Sequence, residues 1–340
     1  MSKLRLIQCG AGGFGDHWLQ GHTSQSPDFD LVALVDLSAE TLKAAGEKYG
    51  IAPEFRFASL EEALDAVEAD AVLTVTPPHV HVEHARLAFA RGLHLMTEKP
   101  LADTVENGLE MLTLAREAGR QLVVSQQYRF SPPVQMLKHL LQDQSRGVFG
   151  HGHLDFYIPA DFTGTFREKM EFPLLLDMTI HHLDLIRCVT GRNIETVTAF
   201  SSRPEWSWYQ HDSALKLLLE LEGGIPFSYS GDWSALGRTT SWNGDWRLQC
   251  ANGSLHMELD KVSSAGCERW GREVVVEAME PPAIERVGQA HTLHDFAEAI
   301  RSGNPAETSG EDNIKSFGAV VAAMISAKEK RSVSLAEILR

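Results

Sequence analysis

The chain of 340 residues lacks several features that would restrict its class or location. Its four cysteines (Cys9, Cys188, Cys250 and Cys267) have neither CxxC nor zinc-site spacing. No run reaches the roughly 18 apolar residues of a membrane span. The few residues before the first apolar run leave no room for a signal peptide. We therefore expect free thiols, no membrane span and a cytoplasmic location.

The sequence also lacks an excess of positive charge. It has 31 Lys and Arg against 46 Asp and Glu, which gives a formal net charge of −15 at pH 7. Nucleic acids and anionic membrane surfaces bind basic protein faces, so this balance argues against both as partners. An anionic small molecule remains compatible, because backbone N–H groups can bind a phosphate without lysine side chains.

A glycine-rich turn follows the first apolar run, and it is the most informative feature that is present. Gly10, Gly12 and Gly15 form a G-x-G-x-x-G pattern, which Gly13 and Phe14 complete. The first glycine permits a tight strand-to-helix turn, the second lets backbone approach a pyrophosphate, and the third lets helix and strand pack closely. We therefore predict that these five residues bind a dinucleotide.

A carboxylate stands 21 residues beyond the last of these glycines, at Asp36. An acid at this distance can accept hydrogen bonds from an adenosine ribose. It would repel a 2′-phosphate, and the following Leu37 and Ser38 offer no arginine in its place. We therefore expect NAD as the cofactor in preference to NADP.

Short apolar runs alternate with helical segments up to about residue 125. The predicted strands are 4–9, 31–35, 71–75, 93–97 and 121–125. This alternation predicts a parallel, doubly wound sheet, in which ligands bind beyond the carboxyl ends of the strands. Residues that follow these strands are therefore expected to converge: Asp36, Thr76, Pro77, Glu98, Lys99 and Gln126.

The pattern changes after residue 125, where runs are separated by turn signals such as Asn252-Gly253. Strands are predicted at 152–158, 194–201, 214–221, 227–233, 246–251, 254–259 and 273–278, with one helix near 174–189. Because the length exceeds that of a single core, we predict a dinucleotide-binding domain at 1–125 and a substrate-binding and oligomerisation domain at 126–340. The final helices, 293–301 and 313–330, can pack back on the first domain.

Two further motifs suggest proton transfer. Lys99 ends a predicted parallel strand and should face the cofactor crevice; a surface lysine before a turn proline is the alternative. Asp177 and His181 stand four residues apart, on one face of the predicted helix. A carboxylate beside an imidazole fixes its tautomer and raises its basicity. A structural ion pair and a metal site are the alternatives for this pair, and the hydride chemistry that we favour needs no metal.

These motifs occur in one order, and together they resemble the family of glucose–fructose oxidoreductases and inositol dehydrogenases over nearly the whole chain. The resemblance implies an α/β Rossmann domain and an α+β domain with a large, mostly antiparallel open sheet. It also implies NAD(P)-linked oxidation of sugars, polyols or cyclitols in a homodimer or homotetramer. The ordered motifs are Gly10-x-Gly12-x-x-Gly15, Thr76-Pro77-Pro78-x-x-His81, Glu98-Lys99-Pro100 and Asp177-x-x-x-His181.

The resemblance also assigns roles. Lys99 would bind the reacting oxygen, and His181 would act as general acid and base, oriented by Asp177. Glu98 and His81 would lie at the cofactor. Lys99, Asp177 and His181 would contact substrate. Apart from the resemblance, Arg129 follows the last predicted strand of the first domain, and we expect it and Tyr157 to contact substrate as well; a domain-linking salt bridge is the alternative for Arg129.

The sequence departs from the family pattern next to Asp177. Many relatives have a glycine cluster where this chain has Glu171-Phe172-Pro173, and they often have glycine at the position of Thr179. The pocket wall there is expected to be bulkier. Two other functions remain open: a redox-neutral NAD-dependent glycosidase or lyase, and a non-catalytic dinucleotide-binding regulator.

Overall fold

The computed structural model describes residues 2–266 and 274–340. Cys267 and Glu273, the first residue of a predicted strand, lie outside these ranges. The strands are β1 (Leu4–Cys9), β2 (Phe29–Val35), β3 (Arg56–Phe57), β4 (Ala71–Thr74), β5 (His94–Thr97), β6 (Leu122–Val124), β7 (Phe149–Tyr157), β8 (Ile194–Ser202), β9 (Ala214–Leu221), β10 (Ile225–Asp232), β11 (Asp245–Cys250), β12 (Gly253–Glu258), β13 (Lys261–Gly266), β14 (Val275–Met279) and β15 (Val333–Ser334).

The helices are α1 (Phe14–Trp18), α2 (Ala39–Tyr49), α3 (Leu60–Ala66), α4 (His81–Ala90), α5 (Val105–Ala118), α6 (Pro132–Gln142), α7 (Ile180–Thr190), α8 (Gly288–Ser302), α9 (Gly310–Glu329) and α10 (Leu335–Ile338). Two π-helical turns, Leu19–Thr23 and Leu175–Thr179, directly follow α1 and directly precede α7. No helix in the described ranges combines the length and apolarity that crossing a bilayer requires.

The chain divides into two compact units. The first comprises Met1–Gln127 and Arg286–Ile314, and the second comprises Tyr128–Glu285 and Lys315–Arg340. We placed every residue after 125 in the second domain but expected that the final helices can pack back on the first; α8, one of these helices, belongs to the first unit. The physical reason is apolar burial, since Phe296 of α8 stacks on Phe29 of β2 with ring centroids 5.7 Å apart.

The first unit is built on a six-stranded parallel sheet in the order β3-β2-β1-β4-β5-β6. This confirms the predicted doubly wound sheet. Strand order reverses between β1 and β4, and a crevice for ligands lies at such a point. All four residues of β4 and all three of β6 are buried, as expected for strands covered on both faces.

The second unit contains a nine-stranded sheet in the order β14-β13-β12-β11-β7-β10-β9-β8-β15. Only β7 and β10 pair in parallel among its described strands, which confirms the mostly antiparallel prediction. Along β9, leucines at every second position are buried, while Lys216, Leu218 and Glu220 are exposed. One face of the sheet is therefore packed and the other open. On the packed side, α7 is buried from Ile180 to Val189.

Candidate functional site

The glycine turn between β1 and α1 lies directly against the end of β4. Gly10 has φ +94°, and a Cβ on it would come within 2.6 Å of the Val75 carbonyl oxygen. A Cβ on Gly15 would overlap the Gly10 carbonyl. Only glycine fits this backbone at both positions, so the turn leaves a cradle of main-chain atoms at the strand-order reversal, as a pyrophosphate requires.

The Asp36 carboxylate is fixed at the end of β2 by two backbone donors. The Ala11 N–H donates to Oδ2 at 2.9 Å, and the Ser38 N–H donates to Oδ1 at 2.9 Å. The first of these bonds joins the acid to the glycine turn. The carboxylate therefore has one orientation relative to the turn.

A cavity of about 630 Å³ opens at this edge of the first sheet. Five predicted cofactor residues line it: Gly10, Gly12, Asp36, Thr76 and Pro77. The same cavity has lining residues that we did not predict, on the helices after β2, β3 and β4; they include Thr41, Leu60, His84 and Leu87. They could have been predicted from their place in the sequence, because each lies on a helix that follows a strand and so begins near that strand's carboxyl end.

The lining of this cavity is acidic. It contains the carboxylates of Asp36, Glu61 and Glu83, and none of the described lining residues is Lys or Arg. The nearby Arg56 of β3 donates from Nε to the Ile51 carbonyl at 2.8 Å instead of lining the cavity. The formal charge of this lining is therefore negative.

Thr76 belongs to a partly buried chain of polar groups. Its hydroxyl shares a 2.8 Å hydrogen bond with the Thr74 hydroxyl, which lies 2.8 Å from His84 Nδ1. Burial lowers the pKa of His84 to about 4, so the imidazole is neutral at pH 7. The chain thus orients the Thr76 hydroxyl at the cavity wall without adding charge.

His81 is engaged by the protein backbone. It is fully buried, with Nε2 3.0 Å from the Thr76 carbonyl oxygen and Nδ1 3.2 Å from that of Leu101. Burial lowers its pKa. His81 does not line the cavity, although we predicted it as a cofactor contact; its ring instead ties the loop after β4 to the segment after β5.

Glu98 and Lys99 follow β5 at the same edge of the sheet. Glu98 is buried, and it accepts hydrogen bonds from Trp18 Nε1 at 2.9 Å and from the Lys99 N–H at 3.0 Å. Burial raises the pKa of Glu98. Lys99 is half-buried, and Gln126 is buried beyond the adjacent β6. The carboxylate thus fixes the backbone from which the lysine side chain extends.

In the second unit, Asp177 and His181 lie on different helical segments. Asp177 belongs to the π-helical turn Leu175–Thr179, and His181 to α7. We predicted both on one face of a single α-helix. A π turn closes over five residues and is frequent at functional sites, so the pair does not have regular i, i+4 geometry.

The Asp177 carboxylate accepts a hydrogen bond from Arg167, which the sequence did not single out. Arg167 Nε lies 2.5 Å from Asp177 Oδ2. The two side chains are 31% and 16% exposed respectively, so the ion pair is partly shielded from water. The sequence carries no periodic signal for this pair, since Arg167 lies in a helical turn of only four residues, Phe166–Lys169.

His181 is buried against an aromatic ring. The Tyr128 ring centroid lies 4.7 Å from that of His181, with the planes inclined at 46°. Burial, assisted by the Asp177 charge, raises the pKa of Tyr128 to about 12. The phenol is therefore protonated at neutral pH and limits the movement of the imidazole.

Thr179 faces the sheet, which accounts for one departure from the family pattern. Its hydroxyl lies 3.0 Å from the Tyr229 hydroxyl, which is 3.2 Å from His182 Nδ1. His182 Nε2 is in turn 3.1 Å from the Trp242 carbonyl oxygen. The extra side chain at Thr179 therefore joins a polar network between α7 and β10.

Phe172 accounts for the other departure. Its φ is +55°, a left-handed conformation that glycine adopts readily and a bulky residue rarely does. Its side chain is nonetheless buried, below the ammonium group of Lys328, which lies 5.5 Å from the ring centroid. The backbone shape typical of glycine is thus retained while a phenylalanine fills the space.

Arg129 forms an ion pair instead of extending to solvent. Its Nε and Nη2 each donate to one oxygen of Asp184 at 2.6 Å, with the two side chains 5% and 1% exposed. The Ser316 hydroxyl also donates to Asp184 Oδ1 at 2.7 Å. We predicted a substrate contact, with a domain-linking bridge as the alternative; the pair that forms lies within the second unit.

Tyr157 lies on the open face of the sheet. Its neighbour Phe156 points to the packed face, where it contacts His182 of α7 with ring centroids 4.6 Å apart. Successive strand residues point to opposite faces, so Tyr157 faces away from α7. Its hydroxyl accepts a hydrogen bond from Lys216 Nζ at 2.9 Å. Tyr157 therefore lies on the sheet face opposite to α7, and its predicted contact with substrate stays a prediction.

One group of candidate metal ligands lies within the described residues: Asp28, His294 and Glu298. A guanidinium already lies between the carboxylates, because Arg301 Nη1 donates to Asp28 and to Glu298 at 2.8 Å each. His294 Nδ1 is 2.8 Å from the other Asp28 oxygen. The group is therefore an ion-pair network that joins α8 to the segment before β2 within the first unit.

Known proteins resemble this chain over its full length. Residues 4–126 match a family described as "Oxidoreductase family, NAD-binding Rossmann fold", and residues 134–256 match "GFO/IDH/MocA C-terminal domain". An uncharacterized protein of Sinorhizobium fredii is 26% identical, covering 99% of this chain and 97% of its own. A D-apiose dehydrogenase of Paraburkholderia graminis is 27% identical, covering 98% and 89%.

A solved structure shares the fold. An oxidoreductase from Agrobacterium radiobacter, in complex with NAD⁺, L-tartaric acid and magnesium, superposes with a TM-score of 0.88 at 20% identity. The match covers 99% of this chain and 100% of the other.

Proposed function

Because this chain belongs to the GFO/IDH/MocA family of oxidoreductases, with an NAD-binding Rossmann fold, we propose that it is an NAD-dependent dehydrogenase. Its substrate would be a sugar, polyol or cyclitol that is oxidised at a hydroxyl-bearing carbon. The D-apiose dehydrogenase that aligns over 98% of this chain supports this substrate class. The observation that carries the proposal is Lys99, which follows the buried Glu98 at the carboxyl end of β5.

Three side chains divide the proton transfer in this proposal. Lys99 binds the reacting oxygen and stabilises the alkoxide that forms as the O–H bond breaks. His181 removes the hydroxyl proton, and Asp177 orients substrate and imidazole. Bound NAD supplies the acceptor for the hydride that leaves the same carbon. Glu98 holds the Lys99 backbone, and the Tyr128 ring restrains His181.

Reduction of NAD or NADP across a panel of aldoses, inositols, polyols and sugar acids tests this function. Stoichiometric NADH release with one substrate supports it. Lys99→Ala should then lower turnover by about 10²- to 10⁴-fold, the range for loss of an acid–base group. Substitution of the exposed Lys3 by alanine is the matched control. Near-full turnover by Lys99→Ala would contradict the role of Lys99. Silence across the panel with tightly retained cofactor would instead favour a redox-neutral glycosidase or lyase.

We also propose that NAD is preferred over NADP. The support is the fixed Asp36 carboxylate and an acidic cavity lining in which the described residues include no Lys or Arg. Like charges placed together cost several kcal/mol. Asp36→Ala should therefore raise the NADP:NAD ratio of kcat/KM by about 10-fold or more, while Asp30→Asn, at an exposed position of the same strand, should not. An unchanged ratio in Asp36→Ala would show that another group sets the preference.

We further propose a homodimer or homotetramer that uses the open face of the second sheet. Phe200 and Leu218 are 58% and 62% exposed there, on the neighbouring strands β8 and β9, and apolar side chains exposed together on one face mark an interaction surface. Light scattering after size exclusion gives the mass directly. Leu218→Lys should shift it toward the monomer, and a monomeric unmodified chain would refute the proposal.

A further inference from the structure

The connection between β7 and the helix that carries Asp177 contains a short helical turn, Phe166–Lys169. Its side chain Arg167 reaches Asp177, with Nε 2.5 Å from Oδ2. Thr165 starts this turn, since its hydroxyl accepts from the Arg167 N–H at 3.3 Å. The arginine backbone is therefore fixed before its side chain extends to the carboxylate.

Two aromatic rings flank the Arg167 guanidinium. Its Cζ lies 4.9 Å from the Phe162 ring centroid and 4.7 Å from that of Phe166. Phe162 packs edge-on against the buried Trp233, with centroids 5.2 Å apart, and Trp233 stacks on Tyr209 at 5.9 Å. A planar guanidinium suits such a slot, whereas an ammonium is a flexible point charge. The two rings therefore limit the position of the charge that Asp177 faces.

We propose that Arg167 is a positioning residue for the dehydrogenase reaction, acting through Asp177. This inference rests on the proposed function, in which Asp177 orients substrate and His181. The charge-assisted bond from Arg167 to Oδ2 limits rotation of the Asp177 carboxylate. The orientation of Oδ1 is thereby set before substrate binds. Arg167 itself does not touch the reacting atoms.

A kinetic double-mutant cycle tests this role. Arg167→Gln should lower kcat by about 10- to 100-fold, as for loss of a hydrogen bond to a charged group, with little change in KM for NAD. The double variant with Asp177→Asn should be no slower than Asp177→Asn alone, because Arg167 acts only through that carboxylate. Lys169→Gln removes the same charge from an exposed position on the same turn and should keep normal turnover.

Chemical rescue separates positioning from general folding. Added guanidinium, far below denaturing concentrations, should accelerate Arg167→Ala but not the variant that also carries Asp177→Asn. If Arg167→Gln does not fold, Arg167→Lys provides the second comparison. Lysine keeps the positive charge but lacks the planar guanidinium, so kcat of this variant should stay measurably below that of the unmodified chain.

The outcomes that overturn the proposal are distinct. Arg167→Gln turning over as fast as Lys169→Gln, or losses that multiply in the double variant, would refute a role through Asp177. A rise in KM confined to carboxylated substrates would make Arg167 an anion receptor instead. No turnover by the unmodified chain would refute the proposed function first, and this inference with it.

Discussion

The buried imidazole of His182 predicts a specific loss of stability in acid. Burial lowers its pKa from 6.5 to about 4, and its two nitrogens contact the Tyr229 hydroxyl and the Trp242 carbonyl. The folded state therefore binds this proton less readily than the unfolded chain. The stabilisation is complete above pH 6.5 and is lost as the pH falls toward 4.

The size of the effect follows from these two pKa values. At about pH 5 the imidazole is mostly protonated in the unfolded chain and mostly neutral in the folded one. Linkage then gives a loss of about 2 kcal/mol in the free energy of unfolding between about pH 7 and about pH 5. His182→Gln removes the titration while its amide can still bond to Tyr229 and Trp242. Its stability should thus fall about 2 kcal/mol less over this range than that of the unmodified chain.

Urea denaturation followed by tryptophan fluorescence measures the free energy of unfolding. The signal reports on the second unit, which contains His182, because every tryptophan except Trp18 lies between residues 206 and 270. The exposed His211 gives the control substitution, His211→Gln, which should follow the unmodified chain. Parallel stability curves for His182→Gln and the unmodified chain between neutral and acid pH would refute the argument.

Three further predictions concern stability. Trp18→Phe removes the donor to buried Glu98 and should cost about 1–3 kcal/mol, measured by calorimetry with and without NAD. Asp184→Asn leaves Arg129 as a buried charge without its carboxylate and should cost about 3–5 kcal/mol; a shift in midpoint close to zero would contradict this. Phe172→Gly should relieve about 1–2 kcal/mol of left-handed strain but lose about 3–5 kcal/mol of packing. It should therefore melt below the unmodified chain, and a higher melting temperature would show that strain dominates.

Most of the fold could be predicted, because its elements have local patterns. The exceptions are instructive. β13 was missed because the hairpin before it turns through Leu259 and Asp260, at φ +48° and +63°. Such turns are normally marked by glycine or asparagine, and the sequence shows neither there. β3 and β15 span two residues each, too short for any periodicity.

In the candidate site, too, residues with a local sequence pattern could be predicted and residues that depend on distant contacts could not. The glycine turn and Asp36 were predictable because backbone conformation and strand position determine what they can bind. Arg129 and Arg167 were not, because a cation's role depends on which carboxylate it meets in the folded chain. Asp184 lies 55 positions from Arg129 along the chain, and no spacing rule connects them. The sheet face on which Tyr157 lies could not be predicted either, since a one-residue difference along a strand selects the opposite face.

The split composition of the first unit bears on how the protein is synthesised. Leu293 and Phe296 complete a core that includes Leu6, Trp18 and Phe29. A ribosome that has reached residue 127 has made the whole parallel sheet but not the helix that covers this core. The apolar surface of the nascent first unit therefore stays uncovered until α8 is synthesised, which happens only after every strand of the second sheet except β15. Cofactor binding should therefore appear late in translation, and chaperones that bind apolar chain have a defined interval in which to act.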